Sequence, residues 1–358
     1  MKKHLLLWVI VACFAFTAKA QDSVVHRIIL IGDAGEIDKQ QMAVLGFAAN
    51  TIIKDKTTVL FLGDNIYPRG MALPESPDTT RTQNILKSEY GPMRAKGAPV
   101  YFLPGNHDWD RMGLNGLEKI KRQWEYIDQL QDSLLRVVPE NGCPDPYEIE
   151  VNDKVVIIAY DSEWWLFPYH KSNPGADCSC NTKSDVTDRL RALFYKNRGK
   201  FIILASHHPF QSYGVHGGVF SVKDHLFPLT AVNKNLYIPM PVVGSLYPLL
   251  RTVFVDPEDL GHPEYKDMIK KIGGVFGDYP DLVHVAGHDH GLQFIKDDKG
   301  EIQIVSGAGA KEVHVGKGKN SLFAEAVQGF VTADLMADNS MKFTYYTYTD
   351  KGMKAAFT

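Results

Sequence analysis

The stretches TVLFLGDNIYP (58–68) and PVYFLPGNHDW (99–109) each run an apolar segment into a Gly-bearing turn, and each turn carries ligand-type side chains: Asp64 in the first, Asn106 and His107 in the second. The same shape recurs in RIILIGD (27–33), KVVIIAYDS (154–162), FIILASHHP (201–209), LVHVAGHDH (282–290) and EIQIVSGAG (301–309). Continuous apolar runs of this length read as strands buried on both faces. Helical patterns over roughly 36–54, 80–96, 113–136 and 184–198 alternate with them, so the expectation is an α/β fold. In the tail, Thr and aromatic residues alternate around Ala337-Asp338-Asn339. That pattern predicts a terminal β-hairpin.

In open α/β sheets, ligands bind beyond the carboxyl ends of the strands. Five of the runs place there Asp33, Asp64, Asn106 with His107, His207 with His208, and His288 with His290. One Gly-Asp after a strand is an ordinary turn, and one histidine there is an ordinary core or capping residue. Five such sites in one chain are not explained by turn formation, which requires neither histidines nor an asparagine. The residue types suit a pair of metals, because a carboxylate bridges two cations and imidazole completes a borderline coordination shell. Two cations about 3.5–4 Å apart clamp the attacking and leaving oxygens of a phosphoryl displacement and acidify a bound water. His288 and His290, two apart, point to the same side of an extended segment.

In order and content, GD (32–33), GDNIY (63–67), GNHD (105–108), SHHP (206–209) and GHDH (287–290) resemble the calcineurin-like metallophosphoesterases, over about residues 27–310. Most of that superfamily has Asp-x-His in the first motif, where this chain has Asp33-Ala34-Gly35, and here Tyr67 follows Asp64 by three positions. That combination is similar to the purple acid phosphatase branch, in its small tartrate-resistant form without the N-terminal β-sandwich of the larger plant-type enzymes. The resemblance implies a four-layer α/β fold: two packed mixed β-sheets flanked by helices, with a dimetal site at the carboxyl ends of the strands. It implies Fe(III) on Asp33, Tyr67 and His290, a divalent metal (Fe, Zn or Mn) on Asn106, His207 and His288, and Asp64 bridging the two. A phenolate is a hard anionic donor suited to a trivalent ion, and Tyr67 replaces the histidine that Gly35 cannot supply. The resemblance also faces His107 to the substrate, where it donates a proton to the leaving alkoxide. Asp108 either orients that imidazole or caps the helix expected from about residue 113. His208, beside His207, is expected to contact the phosphate. His216, in GVHGG, is assigned no role.

The activity so implied is acid-phosphatase-like hydrolysis of a small phosphomonoester. The alternatives are a Mn or Zn phosphodiesterase or nucleotidase of the same superfamily, and an exported binding protein that kept the fold without catalysis. Presence of every expected ligand position argues against the last. Trp164 and Trp165 offer either a stacking surface for an aromatic substrate or ordinary packing.

Composition fits these readings without deciding between them. The chain is 44% hydrophobic, with a formal charge of −3 and no Lys/Arg run, so no nucleic-acid partner is expected. Lys2 and Lys3, the apolar run Leu5 to Phe16 and Ala18-Lys19-Ala20 read as a signal peptide over residues 1–20. Its apolar run falls short of the roughly 20 residues of a membrane span. The protein is therefore expected to be exported, periplasmic or secreted, with no stable membrane span. A retained anchor helix and lipoprotein anchoring at Cys13 are the minor alternatives. Export permits a disulfide, from Cys143 to either Cys178 or Cys180. Residues 21–358 read as one metallophosphoesterase domain, with an elaborated, irregular segment at about 210–280 that is either a substrate wall or a packed insertion.

Overall fold

In the computed structural model, which describes residues 23–169, 171, 177–231, 235–240, 243–246, 251, 255–276, 279 and 283–358, alternation along each strand decides which layer a side chain enters. The first half of the chain supplies β1 (Val24–Ile31), α1 (Lys39–Asn50), β2 (Thr57–Phe61), α2 (Thr79–Ala95), β3 (Val100–Phe102), α3 (Gly116–Asp128) and β4 (Leu135–Val137). Next come β5 (Tyr147–Glu150), β6 (Val155–Ala159), α4 (Ser162–Leu166), α5 (Lys183–Lys196), β7 (Phe201–Ala205), α6 (Val222–Leu226) and α7 (Pro263–Phe276). The last part is strand-rich: β8 (Val283–Ala286), β9 (Leu292–Lys296), β10 (Ile302–Ser306), β11 (Ser321–Glu325), β12 (Gly329–Met336), β13 (Met341–Thr349) and β14 (Gly352–Phe357).

The strands form two seven-stranded mixed sheets, ordered β14-β13-β12-β1-β2-β3-β4 and β11-β9-β10-β8-β7-β6-β5. Ile28 and Leu30 of β1 and Leu60 of β2 meet Ile157, Ile203 and Val285 between the sheets. Their alternates Ile29, Ile31, Val59 and Phe61 pack outward under Val44, Leu45, Ile85 and Leu86 of α1 and α2. Across the molecule, Val156, Ile158, Ile202 and Leu204 pack outward under Val186 and Leu190 of α5 and Tyr265 and Met268 of α7. Helix, sheet, sheet and helix are thus stacked as four layers, the fold expected. The period of two within an all-apolar run is what sends one strand's residues into two different cores.

The β1–β2–β3–β4 and β6–β7–β8–β10 pairings are parallel, so the carboxyl ends of the ligand-bearing strands in each sheet lie at one edge. Local signals set the flanking helices. Asp38 caps α1 by accepting from the Gln41 N–H at 2.6 Å, and Thr182 with Asp185 forms a capping box on α5.

Four expectations change in detail. The helical pattern over 113–136 ends at Asp128, and its tail is strand β4. The irregular stretch at about 210–280 ends in the fourteen-residue helix α7, whose Tyr265, Met268 and Ile272 are buried against the second sheet. Trp164 and Trp165 are 3% and 1% exposed, so they pack and offer no stacking surface. The terminal hairpin exists as β12–β13, with Asn339 at φ 68° in its turn, and β14 adds a third strand. The leader and Cys13 lie outside the described residues, among which no helix is long and apolar enough to cross a membrane.

Cys143 pairs with Cys178 and leaves Cys180 buried and free, a bond in keeping with an oxidising compartment. It closes a sequence separation of 35. Cys143→Ser is expected to lower the free energy of unfolding by roughly 2–4 kcal/mol in urea without reductant. Dithiothreitol should bring the wild type to the same value; equal stability without reductant would contradict the tie.

Candidate metal centre

The ligand-bearing turns meet because the two sheets are stitched together at their strand ends. The Gly32 N–H donates to Ser306 O at 2.7 Å, the Gly309 N–H to Gly32 O at 2.9 Å and the Ser306 hydroxyl to Leu30 O at 2.8 Å, all between the sheets. This crowding leaves no space for a side chain at 63: Gly63 has φ 93°, and a Cβ there would lie 2.5 Å from His207 Nδ1. Asp33, Asp64 and His288 themselves have φ of 58°, 55° and 71°. Three polar residues held in the left-handed region at one place are a local strain that surrounding structure must hold.

Two groups of acceptor atoms result. In the first, Tyr67 Oη lies 3.1 Å from both Asp33 Oδ1 and His290 Nε2, and His290 Nε2 is 3.4 Å from Asp33 Oδ1. Gly35 explains how Tyr67 arrives there. A Cβ at 35 would lie 2.5 Å from Asn65 C and Ile66 N, and the Tyr67 N–H donates to Gly35 O at 2.9 Å. Position 35 therefore admits no side chain, and the backbone that fills its space delivers the phenol.

In the second group, His207 Nε2 lies 3.0 Å from Asn106 Oδ1, 3.2 Å from His288 Nδ1 and 3.5 Å from Asp64 Oδ1. Main-chain carbonyls only accept, so the partners of the opposite ring nitrogens decide the tautomers. His207 Nδ1–H donates to Leu62 O and His288 Nε2–H to Glu258 O, each at 2.8 Å. The inward nitrogens then present lone pairs toward an amide oxygen, a carboxylate and each other. Metal-bound histidines hold their outer N–H on a carbonyl in this way.

Burial sets the charge. It pushes the Asp33 carboxyl up to about 8 and the Tyr67 phenol well above its usual range, the latter helped by the neighbouring carboxylates. It pulls His107 and His290 down to about 4 and His288 well below its ordinary value. Burial also works to raise Asp64, but the His107 and His207 rings beside it hold it below the usual carboxylate range. Imidazole lone pairs and crowded oxygens converging on one place suit a cation, which would take the place of the protons that burial favours on Asp33 and Tyr67. The donor set fits two metals sharing Asp64: oxygen-rich on the Asp33 side, nitrogen-rich on the His207 side.

All seven expected ligand residues are gathered here, whereas the three expected catalytic residues separate. His107 lines an open cavity of about 830 Å³ together with Asp64, Asn106, His288 and His290. Its Nδ1–H donates to Pro68 O at 2.6 Å, and its Nε2 is 3.8 Å from Asp64 Oδ2. Asp108 does not touch that ring and caps no helix, since α3 begins after Asn115. It is fully buried and accepts from the N–H groups of Gly105 (2.8 Å), Asn65 and Ile66 (3.1 Å each) and from Asn65 Nδ2 (3.0 Å). It fastens the turn after β3 to the turn after β2. His208 is 0% exposed, hydrogen-bonded through Nδ1 to Ser162 Oγ (2.8 Å) and through Nε2 to Glu258 Oε2 (3.2 Å). It does not face the cavity, so the expected phosphate contact is corrected to a supporting position beneath His288.

Other residues carry weight that sequence reasoning missed. Glu258 holds His288 through its carbonyl and His208 through its carboxyl. Glu163, fully buried beside them with Oε2 3.7 Å from His208 Nε2, has no hydrogen-bond partner among the described residues, and burial pushes it well above the usual carboxylate range. His216 lines the cavity with its ring 3.9 Å from that of His288 and its Nδ1 2.9 Å from Asp259 Oδ1. Burial opposes its charge, but Asp259 and Asp289 hold its pKa above the ordinary value. Lys311 places its Nζ 3.4 Å over the Tyr67 ring. The Gly-flanked GVHGG was the one signal for His216; the others lie in stretches with no motif.

The model of the calcineurin-like phosphoesterase family matches residues 26–238, more than half of the chain. Human tartrate-resistant acid phosphatase type 5 is 21% identical over 292 residues, covering 79% of this chain and 72% of that protein. Among solved structures, a purple acid phosphatase from yellow lupin (Lupinus luteus) seeds superposes with a TM-score of 0.52 at 13% identity, covering 94% of this chain and 53% of that one. GAP50, the anchor in the inner membrane complex of Plasmodium, has a TM-score of 0.53 at 18% identity, over 94% of this chain and 88% of that one. At these identities the structures speak for the fold alone.

Asp108→Asn would set an amide N–H against a ring of N–H donors. The expected result is a loss of roughly 2–4 kcal/mol of stability in a denaturant titration. A neutral effect would contradict the fastening role.

Proposed function

The chain belongs to the calcineurin-like phosphoesterase family, and from that membership we propose that it is a phosphomonoesterase of the purple acid phosphatase type, working with Fe(III) and a divalent metal. The observation that carries this reading is the triangle of Tyr67 Oη, Asp33 Oδ1 and His290 Nε2 at 3.1–3.4 Å, closed by a Gly35 that excludes a histidine. Asp33, Tyr67 and His290 would hold the trivalent ion, Asn106, His207 and His288 the divalent one, and Asp64 would serve both. Such a pair supplies an acidified water as nucleophile and positive charge at the transferring phosphoryl group.

The chain's own groups do the rest. His107 is the cavity-facing imidazole whose Nδ1–H is tied to Pro68 O, and because burial pulls the ring down to about 4, its Nε2 would carry a proton to the departing alkoxide in acid solution. His216, across the cavity and with its charge favoured by Asp259 and Asp289, faces the phosphate oxygens. Arg251, gripped by Asp259 at 2.8 and 3.0 Å, adds a cation to the same wall. Asp64 keeps its charge in the buried site, where the neighbouring imidazoles favour it.

The purified protein should absorb visible light through a tyrosinate–iron charge-transfer band. Tyr67→Phe should abolish the band and keep the divalent metal, as read by optical spectroscopy with elemental analysis. A colourless, iron-free and fully active wild type would instead favour the Mn or Zn diesterase alternative. His107→Ala should retain both metals and cut kcat on phenyl phosphate by roughly 10²–10⁴. Unchanged turnover would remove His107 from the mechanism.

A further inference from the structure

In Gly287-His288-Asp289-His290 the two histidines turn toward the metal centre, and Asp289 between them turns away, 2% exposed. Its carboxylate is the meeting point of the turn that carries His216. Asp289 Oδ2 accepts a short hydrogen bond from the Ser212 hydroxyl, and Asp289 Oδ1 accepts from the His216 backbone N–H at 3.1 Å. Ser212 Oγ in turn accepts from the Gly214 N–H at 3.0 Å and from Gln293 Nε2 at 2.8 Å, while Gln293 Oε1 takes the Tyr213 N–H at 2.8 Å. The far side of His216 is latched as well, its carbonyl accepting the Leu260 N–H at 3.0 Å and its Nδ1 bonded to Asp259.

We propose that Asp289 is the positioning residue for His216, fastening the residue that faces the substrate to the same strand end that presents His288 and His290. The geometry has a chemical consequence. A shift of the 212–216 turn would move the His216 ring off His288 without altering any candidate metal ligand, and a displacement of about 1 Å in a positioned group costs up to about 10²-fold in rate. Two carboxylate oxygens are needed because the two donors, a hydroxyl and a backbone N–H, come from residues four apart. An asparagine at 289 keeps the shape but offers only one acceptor, so one of the two tethers is lost. The proposal rests on the reading of His216 as a residue that faces the substrate across the cavity.

The test is a double-mutant cycle on the full-length, metal-loaded protein with phenyl phosphate, combining Asp289→Asn and His216→Ala. In the wild-type background Asp289→Asn should lower kcat/KM by roughly 10–100-fold, with the metal content by elemental analysis unchanged. In the His216→Ala background the same substitution should change kcat/KM by no more than about 3-fold, because its target is gone. An equal loss in both backgrounds would overturn the proposal while leaving the role of His216 standing. Loss of metal from Asp289→Asn would also overturn it, by showing that Asp289 serves His288 and His290 instead. If His216→Ala alone leaves kcat/KM unchanged, the underlying reading of His216 fails, and the proposal with it. Ser212→Ala, which removes only the side-chain tether, supplies a second and milder variant, expected to fall between wild type and Asp289→Asn in the wild-type background and to have no effect in the other.

Discussion

Asp64 is 1% exposed, and the atoms around it are mostly acceptors: the carboxylate of Asp33 and ring nitrogens whose protons are committed elsewhere. A buried carboxylate is costly unless it is paired, and here a single backbone N–H, from His107 at 2.9 Å, donates directly to it. The rest of the architecture can be read from that constraint. Leu62 O and Glu258 O hold the outer N–H groups of His207 and His288, so that lone pairs face inward. Three of the residues involved sit in the left-handed backbone region. Local strain of this kind persists only where neighbours over-determine it, and the stitching of two sheets at their strand ends does so.

Much of the fold was legible because its signals are local. Apolar runs ending in Gly-bearing turns marked the parallel strands, and the turn residues marked the site, since strand ends are where such folds place ligands. Gly35 and Tyr67 looked like two separate departures from a motif. In three dimensions they are one feature: the backbone of residues 64–66 occupies the space a side chain at 35 would need, and that path brings the phenol in. The amphipathic pattern that ran past Asp128 into β4 misled for an equally local reason, because a three-residue strand is too short to break a helical period.

What sequence reading missed was tertiary. Asp108 follows the expected acid His107, His208 follows the candidate ligand His207, and adjacency suggested chemistry for both. Both lie in turns beyond the strand ends and point into the fold, Asp108 to four backbone and amide donors and His208 to Ser162 and Glu258. Conversely, Glu258, Asp259 and His216 come from the long segment between two motifs, where no periodicity distinguishes a wall of the cavity from an ordinary loop. Their importance lies in contacts 30 to 73 positions away in sequence. The same segment was read as either substrate wall or packed insertion; among its described residues His216, Arg251 and Asp256 to Glu258 border the cavity, and α7 packs on the second sheet.

The account stands on two cations sharing Asp64, and a crystal structure with anomalous data collected above and below the iron, zinc and manganese edges tests that directly. It predicts two peaks about 3.5–4 Å apart, an iron peak bounded by Asp33, Tyr67 and His290 and a second bounded by Asn106, His207 and His288, with Asp64 between them. A single peak, or metal held only by the buried Glu163–His208–Glu258 group, would contradict it.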